Sequence, residues 1–299
     1  MNTYDVAIVG GGPAGLSAAT VLGRMRRNVV LIDAGEPVNA AAAHSQGFFT
    51  RDGESPLRLL ELGRAEAASY GTRIIDDYVT EIVPGGSFTI VTAGGERLSG
   101  NQVVLTTGVR MEFPDIIGLE KHWGNDVAHC PFCHGWELRD RPTVMTMTKP
   151  MEIHKAFMIA ELTDQLTVLI ATDVDMDAVD QASIDKLVAL GVSLRHGDAR
   201  EFVSEGGALS GVELADGSLI PATGAYISPS IAGVSPLAVA LNLDLNDTPM
   251  GLAIATDAAG RTSMPGVWAT GQAADTSMQI VTSAAGGYKL AAEIFRSLL

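Results

Sequence analysis

The sequence is poor in cysteine and in basic side chains, and it has no long uninterrupted apolar run. Among 299 residues there are 2 cysteines, and 20 Lys and Arg stand against 35 Asp and Glu. Two cysteines cannot build a disulfide framework; they can form one redox pair or half of a metal site. The formal charge of −15 would repel a phosphate backbone, so no nucleic-acid partner is expected. The most apolar stretch, Val6 to Leu22, is broken by four glycines and a proline and falls short of the roughly 20 uninterrupted residues of a membrane span. The opening MNTYDVAIVGGG carries no basic segment, so no signal peptide is expected, and a soluble, cytoplasmic protein is the default. What is present is a hydrophobic fraction of 46%, too high for a disordered chain, and enough length for about two domains with their own cores.

The first forty residues read as a strand from Tyr4 to Val9, a glycine turn, a helix from Leu16 to Gly23 and a second strand from Asn28 to Ile32. This is a βαβ unit, which implies a parallel sheet covered on both faces. A loop NAAAAHSQGFF, a helix from Pro56 to Tyr70 and three alternating segments between Tyr78 and Thr106 follow. The three segments, punctuated by glycines, are expected to form a meander that returns at the corner Thr106, Thr107, Gly108. A second βαβ pattern comprises strands Thr143 to Met147 and Leu166 to Ile170 with helices Met151 to Leu162 and Ser183 to Leu190. Short strands at Val192 to Leu194, Gly211 to Leu214 and Leu219 to Tyr226 complete that block, and the tail offers a strand Gly266 to Thr270 and a helix Gln279 to Leu298. The two βαβ halves are candidates for a diverged repeat.

VGGGPAG places Gly10, Gly12 and Gly15 in the G-x-G-x-x-G pattern between a strand and a helix. In such a turn the first glycine makes the tight bend, the second lets the backbone approach a pyrophosphate, and the third allows helix to pack closely on strand. The helix N-terminus adds free N–H groups. Asp33, at the end of the second strand, is placed to bond the ribose hydroxyls of an adenosine. The pattern points to a bound dinucleotide without choosing between FAD and NAD. Farther along, AHCPFCHGWE sets Cys130 and Cys133 in C-x-x-C, flanked by His129 and His134. At a helix start such a pair can close a small disulfide, the helix N-terminus lowers the pKa of the nearer thiol, and His134 can exchange a proton with a leaving thiolate. Zinc would need four ligands, and no second C-x-x-C or H-x-x-x-H is present. No metal site is therefore expected, although half of a zinc site and two inert thiols remain the alternatives to disulfide chemistry.

The N-terminal glycine fingerprint, the central C-x-x-C and the closing GVWATGQ together resemble the low-molecular-weight thioredoxin reductase family over nearly the whole chain. CPFCHGWE is most similar to the branch containing the gliotoxin and holomycin dithiol oxidases. The resemblance implies an α/β fold of two Rossmann-like nucleotide-binding domains. The FAD domain, residues 1–114 and 229–299, is discontinuous, and a smaller NADPH-domain-like insert, residues 115–228, carries the cysteine pair. It implies FAD as cofactor, a homodimer, and a small-molecule dithiol or disulfide as substrate. Cys133 would face the flavin and Cys130 would exchange with substrate, with His134 and His129 as bases. Gly10, Gly12, Gly15 and Asp33 would hold the ADP half of FAD, with Thr107 and Gly108 also in the cofactor site. Gly271 and Gln272 stand where the family usually has G-D. Gln279 and Ile280 would begin the last helix beneath the flavin, and His44 would approach it from the loop.

The insert departs from the family at its own nucleotide turn. Laying G-x-G-x-x-G/A on it puts Met147, Lys149 and Glu152 at the three small positions, where side chains occupy the space a pyrophosphate needs. After the next strand, where a 2′-phosphate calls for Arg, the chain offers Asp173, Asp175, Asp177 and Asp180. NADPH binding is therefore expected to be weak or absent, and Met145, Met147, Met151 and Met158 are expected to be core packing. The activity implied is FAD-dependent oxidation of a dithiol with oxygen as acceptor. The alternatives are a disulfide reductase fed by ferredoxin or another donor, and a redox-sensing flavoprotein.

Overall fold

Strands Thr3–Val9, Val29–Asp33 and Arg73–Asp76 pair in parallel, and on the other side Thr3–Val9 pairs in parallel with Arg97–Leu105. These strands belong to a computed structural model that describes residues 2–299. Val6, Ala7, Ile8, Val29, Val30 and Leu31 have no exposed surface, as befits a parallel sheet covered on both faces. The long strand Arg97–Leu105 is shared along its length: its first half pairs antiparallel with Phe88–Thr92, its second half in parallel with Val267–Ala269. Val79–Val83 completes the meander and the seven-stranded sheet. Residues near both ends of the chain thus share one sheet.

Helix Pro13–Arg24 opens with Pro at its first turn and Gly12 as its N-cap, a position where the missing proline N–H costs nothing. The final helix Ile280–Ser297 lies against it. The approach depends on Gly287, where a Cβ would lie 2.0 Å from the Ala14 carbonyl oxygen.

A second sheet is wholly parallel, in the order Ser193–His196, Leu166–Ile170, Thr143–Met147, Gly224–Tyr226 and Val127–Ala128. Beside it lies an antiparallel sheet of Ala199–Glu205, Ala208–Leu214 and Leu219–Pro221. Where the chain passes between the two parts, Met111–Glu112 and Ser230–Ile231 form a two-stranded ribbon. Among the described residues no helix is long and apolar enough to cross a membrane.

Several elements differ from the sequence reading. The single strand expected from Leu219 to Tyr226 is two strands in two sheets, because Pro221 lacks the N–H a continuing ladder needs. The helix expected from Met151 begins as a 3-10 turn, Pro150–Glu152, and becomes α-helical over Ile153–Ala160. The next helix begins at Gln181, two residues early, because the Asp180 side chain accepts the Ser183 N–H at 2.9 Å. The methionine cluster divides: Met145 and Met147 are fully buried, whereas Met151 and Met158 are exposed.

Candidate active site

The fingerprint turn folds as the spacing requires. Gly10 has φ +106°, a backbone that side chains rarely adopt, and a Cβ there would lie 2.3 Å from the Thr106 carbonyl oxygen. At Gly15 a Cβ would lie 2.0 Å from the Gly10 carbonyl oxygen. Gly12 differs from both, because a Cβ there meets nothing within 4 Å. That open space belongs to a cavity of about 690 Å³ running along the end of the first sheet, a volume in the range of cofactor sites. Gly10, Gly12, Asp33, Thr107, Gly108, Gly271, Gln272, Gln279 and Ile280 all line it, and Gly15 packs behind it.

The cavity wall has the features of a dinucleotide cradle. The Thr107 hydroxyl is buried in it without a hydrogen-bond partner, which asks for an acceptor or donor from outside the chain. Asp33 accepts the Gly11 N–H at 2.9 Å and the Arg64 guanidinium at 3.1 Å. A carboxylate offers about four lone-pair positions, so capacity for ribose hydroxyls remains. Arg64, which also pairs with Asp76, is a cavity-lining residue with no sequence pattern to announce it. The residues present fit FAD.

The segment that follows strand Val127–Ala128 contributes His129, Phe132, Cys133 and His134 to the same cavity. Cys130 is the N-cap of helix Pro131–Leu138 and is 8% exposed, while Cys133 lies one turn in. The two sulfurs are 2.6 Å apart, in position for a disulfide. Cys133 also bonds Gln279 Oε1 at 3.3 Å, and Gln279 Nε2 lies 3.8 Å from the Cys130 sulfur. Gln279, the N-cap of the last helix, therefore touches the pair itself, which its sequence position did not reveal. A second contact, Gln46 Nε2 to Glu137 Oε1 at 3.0 Å, ties the loop after the first βαβ unit to the redox helix.

The two thiols are not equivalent. The Cys130 thiol is lowered to about 7, first by the hydrogen bond donated from Cys133, then by the N–H groups of Cys133 and Phe132 at the helix start and by Lys155, against the opposing effect of burial. Cys133 is pushed up by donating to Cys130, by burial and by the Cys130 charge. His129 is lowered to about 4 by burial, then by Lys155 and His134, so it is neutral at physiological pH and a weak base. Its ring stacks on Trp123 with centroids 5.6 Å apart. His134 Nδ1 is buried without a hydrogen-bond partner. His44 lines the cavity, with Nδ1 3.0 Å from the Gly53 carbonyl oxygen.

A dinucleotide cradle facing a C-x-x-C pair is an arrangement suited to a flavin enzyme that passes electrons to or from a disulfide. Residues 4–287 match the pyridine nucleotide-disulphide oxidoreductase family. The chain belongs to that family. Among solved structures, that of HlmI superposes with a TM-score of 0.90 at 37% identity, covering 99% of this chain and 92% of the other. The thioredoxin reductase sirT of Leptosphaeria maculans is 27% identical over 96% of this chain and 91% of its own. A probable thioredoxin reductase of Arthroderma benhamiae is 39% identical over a shorter region, 47% of this chain and 37% of its own. This family member is a flavin-dependent thiol-disulfide oxidoreductase with FAD as its cofactor.

Proposed function

We propose that this oxidoreductase runs in the oxidising direction, closing a disulfide in a small-molecule dithiol through Cys130 and Cys133 and delivering the electrons to oxygen. The observation that carries the reading is the carboxylate of Glu152, which fills the nucleotide turn of the second βαβ unit. Glu152 Oε2 accepts the N–H of Thr148 at 2.7 Å and of Lys149 at 3.3 Å. Those amides are the donors that a dinucleotide phosphate would use in such a turn. After the following strand, Asp198 likewise takes the Thr172 N–H at 3.0 Å and hydroxyl at 2.6 Å. Two negative groups therefore stand where NADPH would bring phosphates. Asp175 and Asp180 act as caps of the next two helical turns rather than as ligands. The division at residues 114 and 228 belongs to the same reading, which the ribbon of Met111–Glu112 and Ser230–Ile231 supports.

In the reductive half-reaction a substrate thiolate attacks Cys130, breaking its bond to Cys133 and displacing Cys133 as a thiolate that takes up the proton removed from the substrate, and a mixed disulfide forms. A second substrate thiolate then expels Cys130, whose lowered pKa makes it a good leaving group. The product disulfide departs and both cysteines are left reduced, with His134 taking the incoming thiol's proton. FAD, which Gly10, Gly12, Asp33 and Thr107 would hold in the cavity, would supply the two-electron acceptor for the reduced pair and the link to oxygen, with peroxide as the product of reoxidation. Gln279 holds Cys133 at the cavity wall.

Adding a small dithiol under air is expected to consume one oxygen per disulfide formed, measured with an oxygen electrode and a thiol assay. Turnover with reduced ferredoxin and a disulfide substrate, but none with dithiols, would replace this reading by the reductase one. Turnover in neither direction, with a partner protein that binds one redox state only, would replace it by a sensor. In an anaerobic titration the oxidised protein is expected to keep its flavin colour at micromolar NADPH; rapid bleaching there would overturn the account of the second turn.

A further inference from the structure

We infer that Lys155 is the positioning cation that stabilises the Cys130 thiolate of the reduced pair. The inference rests on the reading of Cys130 and Cys133 as the redox couple. Lys155 lies on helix Ile153–Ala160, which follows the occupied turn. Its ammonium donates to Ser228 Oγ at 2.6 Å and to the Ile227 carbonyl oxygen at 3.3 Å. Those acceptors directly follow strand Gly224–Tyr226. That strand pairs Tyr226 with Ala128, and the Ile227 N–H continues the ladder to the Ala128 carbonyl oxygen at 2.9 Å. Cys130 is two residues beyond Ala128. The parallel register therefore brings the anchored ammonium and the thiol to the same end of one sheet, beyond the C-termini of two paired strands.

The ammonium makes no ion pair with a carboxylate. Among the described residues no carboxylate lies within ion-pair distance of Lys155. Burial lowers its pKa, while Glu152 and Cys130 act to hold the charge in place. Glu152 is itself occupied by the turn amides. The other titratable groups around the pair are the neutral His129, together with His134, Glu137 and Tyr226. The Tyr226 hydroxyl is buried without a partner, and its pKa is raised by burial and by the charges of Cys130, Glu137 and Cys133. Lys155 is thus the one cation of this group that is fixed by hydrogen bonds, and a half-buried charge of that kind favours the thiolate.

The test uses the holoprotein carrying Cys133→Ser, which leaves Cys130 as the sole cysteine. The rate of its alkylation by iodoacetamide is followed by mass spectrometry across pH, and the midpoint of the profile is read because it does not depend on how accessible the sulfur is. Adding Lys155→Met is expected to raise the midpoint by about one pH unit, slowing alkylation about fivefold at neutral pH. Lys155→Arg, which keeps the charge, is expected to return it. If the Met variant loses its flavin, Lys155→Gln supplies the same comparison with a neutral hydrogen-bond donor in place of the ammonium. An unmoved midpoint in a flavin-bearing Met or Gln variant overturns the inference, as does an Arg variant whose midpoint is as high as that of Met. Failure of the redox-pair reading shows separately, as a wild-type protein whose cysteines stay unbridged in air after dithiol is removed.

Discussion

Cys130→Ser is expected to abolish dithiol oxidation, lowering kcat by about a thousandfold or more, while the protein stays yellow. The loss follows from chemistry: a serine hydroxyl is not a competent disulfide partner, and neither the mixed disulfide nor the internal one can form. The retained colour follows from geometry, since Cys130 is not part of the wall of the 690 Å³ cavity and its neighbours there are unchanged. Cys133→Ser is expected to be equally inactive for a different reason. It leaves Cys130 able to make a mixed disulfide with a pre-oxidised substrate, detectable as added mass, but with no partner to resolve it. Oxygen uptake together with the visible spectrum of each variant checks both statements. Turnover in Cys130→Ser above about a tenth of wild type would remove the pair from the mechanism. The pH dependence has a definite sign as well. Cys130 is lowered to about 7, so the thiolate with which it closes the internal disulfide onto Cys133 is in the minority below that pH, and the anaerobic rate of flavin reduction is expected to rise through it and level off above.

How much of this was legible in the residues depends on range. The first glycine turn and the C-x-x-C helix are local motifs, in which spacing alone determines the geometry, and both fold as read. Glu152 was legible as an obstacle because it stands at a position that should be small. That its carboxylate would cap its own turn was not, since that depends on a side-chain torsion and not on a pattern. Strands Arg73–Asp76 and Ala199–Glu205 were missed because they are short or half exposed, with alternation too weak to separate from loop. Lys155, Tyr226 and Gln46 belong to another class. Each meets the redox helix or its surroundings through pairing between distant segments, 91 residues for Gln46 with Glu137 and 73 for Lys155 with Ser228, and nothing in their neighbours in the chain marks them. Gln279 was placed at the correct helix start by resemblance, but its bond to Cys133 spans 146 residues and required the fold.

The glycine turn offers the sharpest separation of ligand binding from folding. Gly12→Val is expected to give a folded, colourless protein, whereas Gly15→Val is expected to lose the fold along with the flavin. At Gly12 the backbone has φ −72° and ψ −178°, an extended conformation open to any side chain, and a Cβ meets no protein atom within 4 Å. The new side chain therefore costs the apoprotein little and fills the space through which a pyrophosphate must pass, weakening FAD by about a hundredfold or more, which is near 3 kcal/mol. At Gly15 a Cβ would lie 2.0 Å from the Gly10 carbonyl oxygen and 2.7 Å from the Thr106 hydroxyl. Both belong to the closely packed junction of helix Pro13–Arg24 with the sheet, and separating them costs about 3 kcal/mol or more of stability before any ligand is considered. Circular dichroism melting of the two apoproteins, with flavin absorbance after incubation in excess FAD, distinguishes the outcomes. A Gly12→Val protein that purifies with a full complement of flavin would show that the cofactor does not cross this turn, and the assignment of the cavity would fall with it.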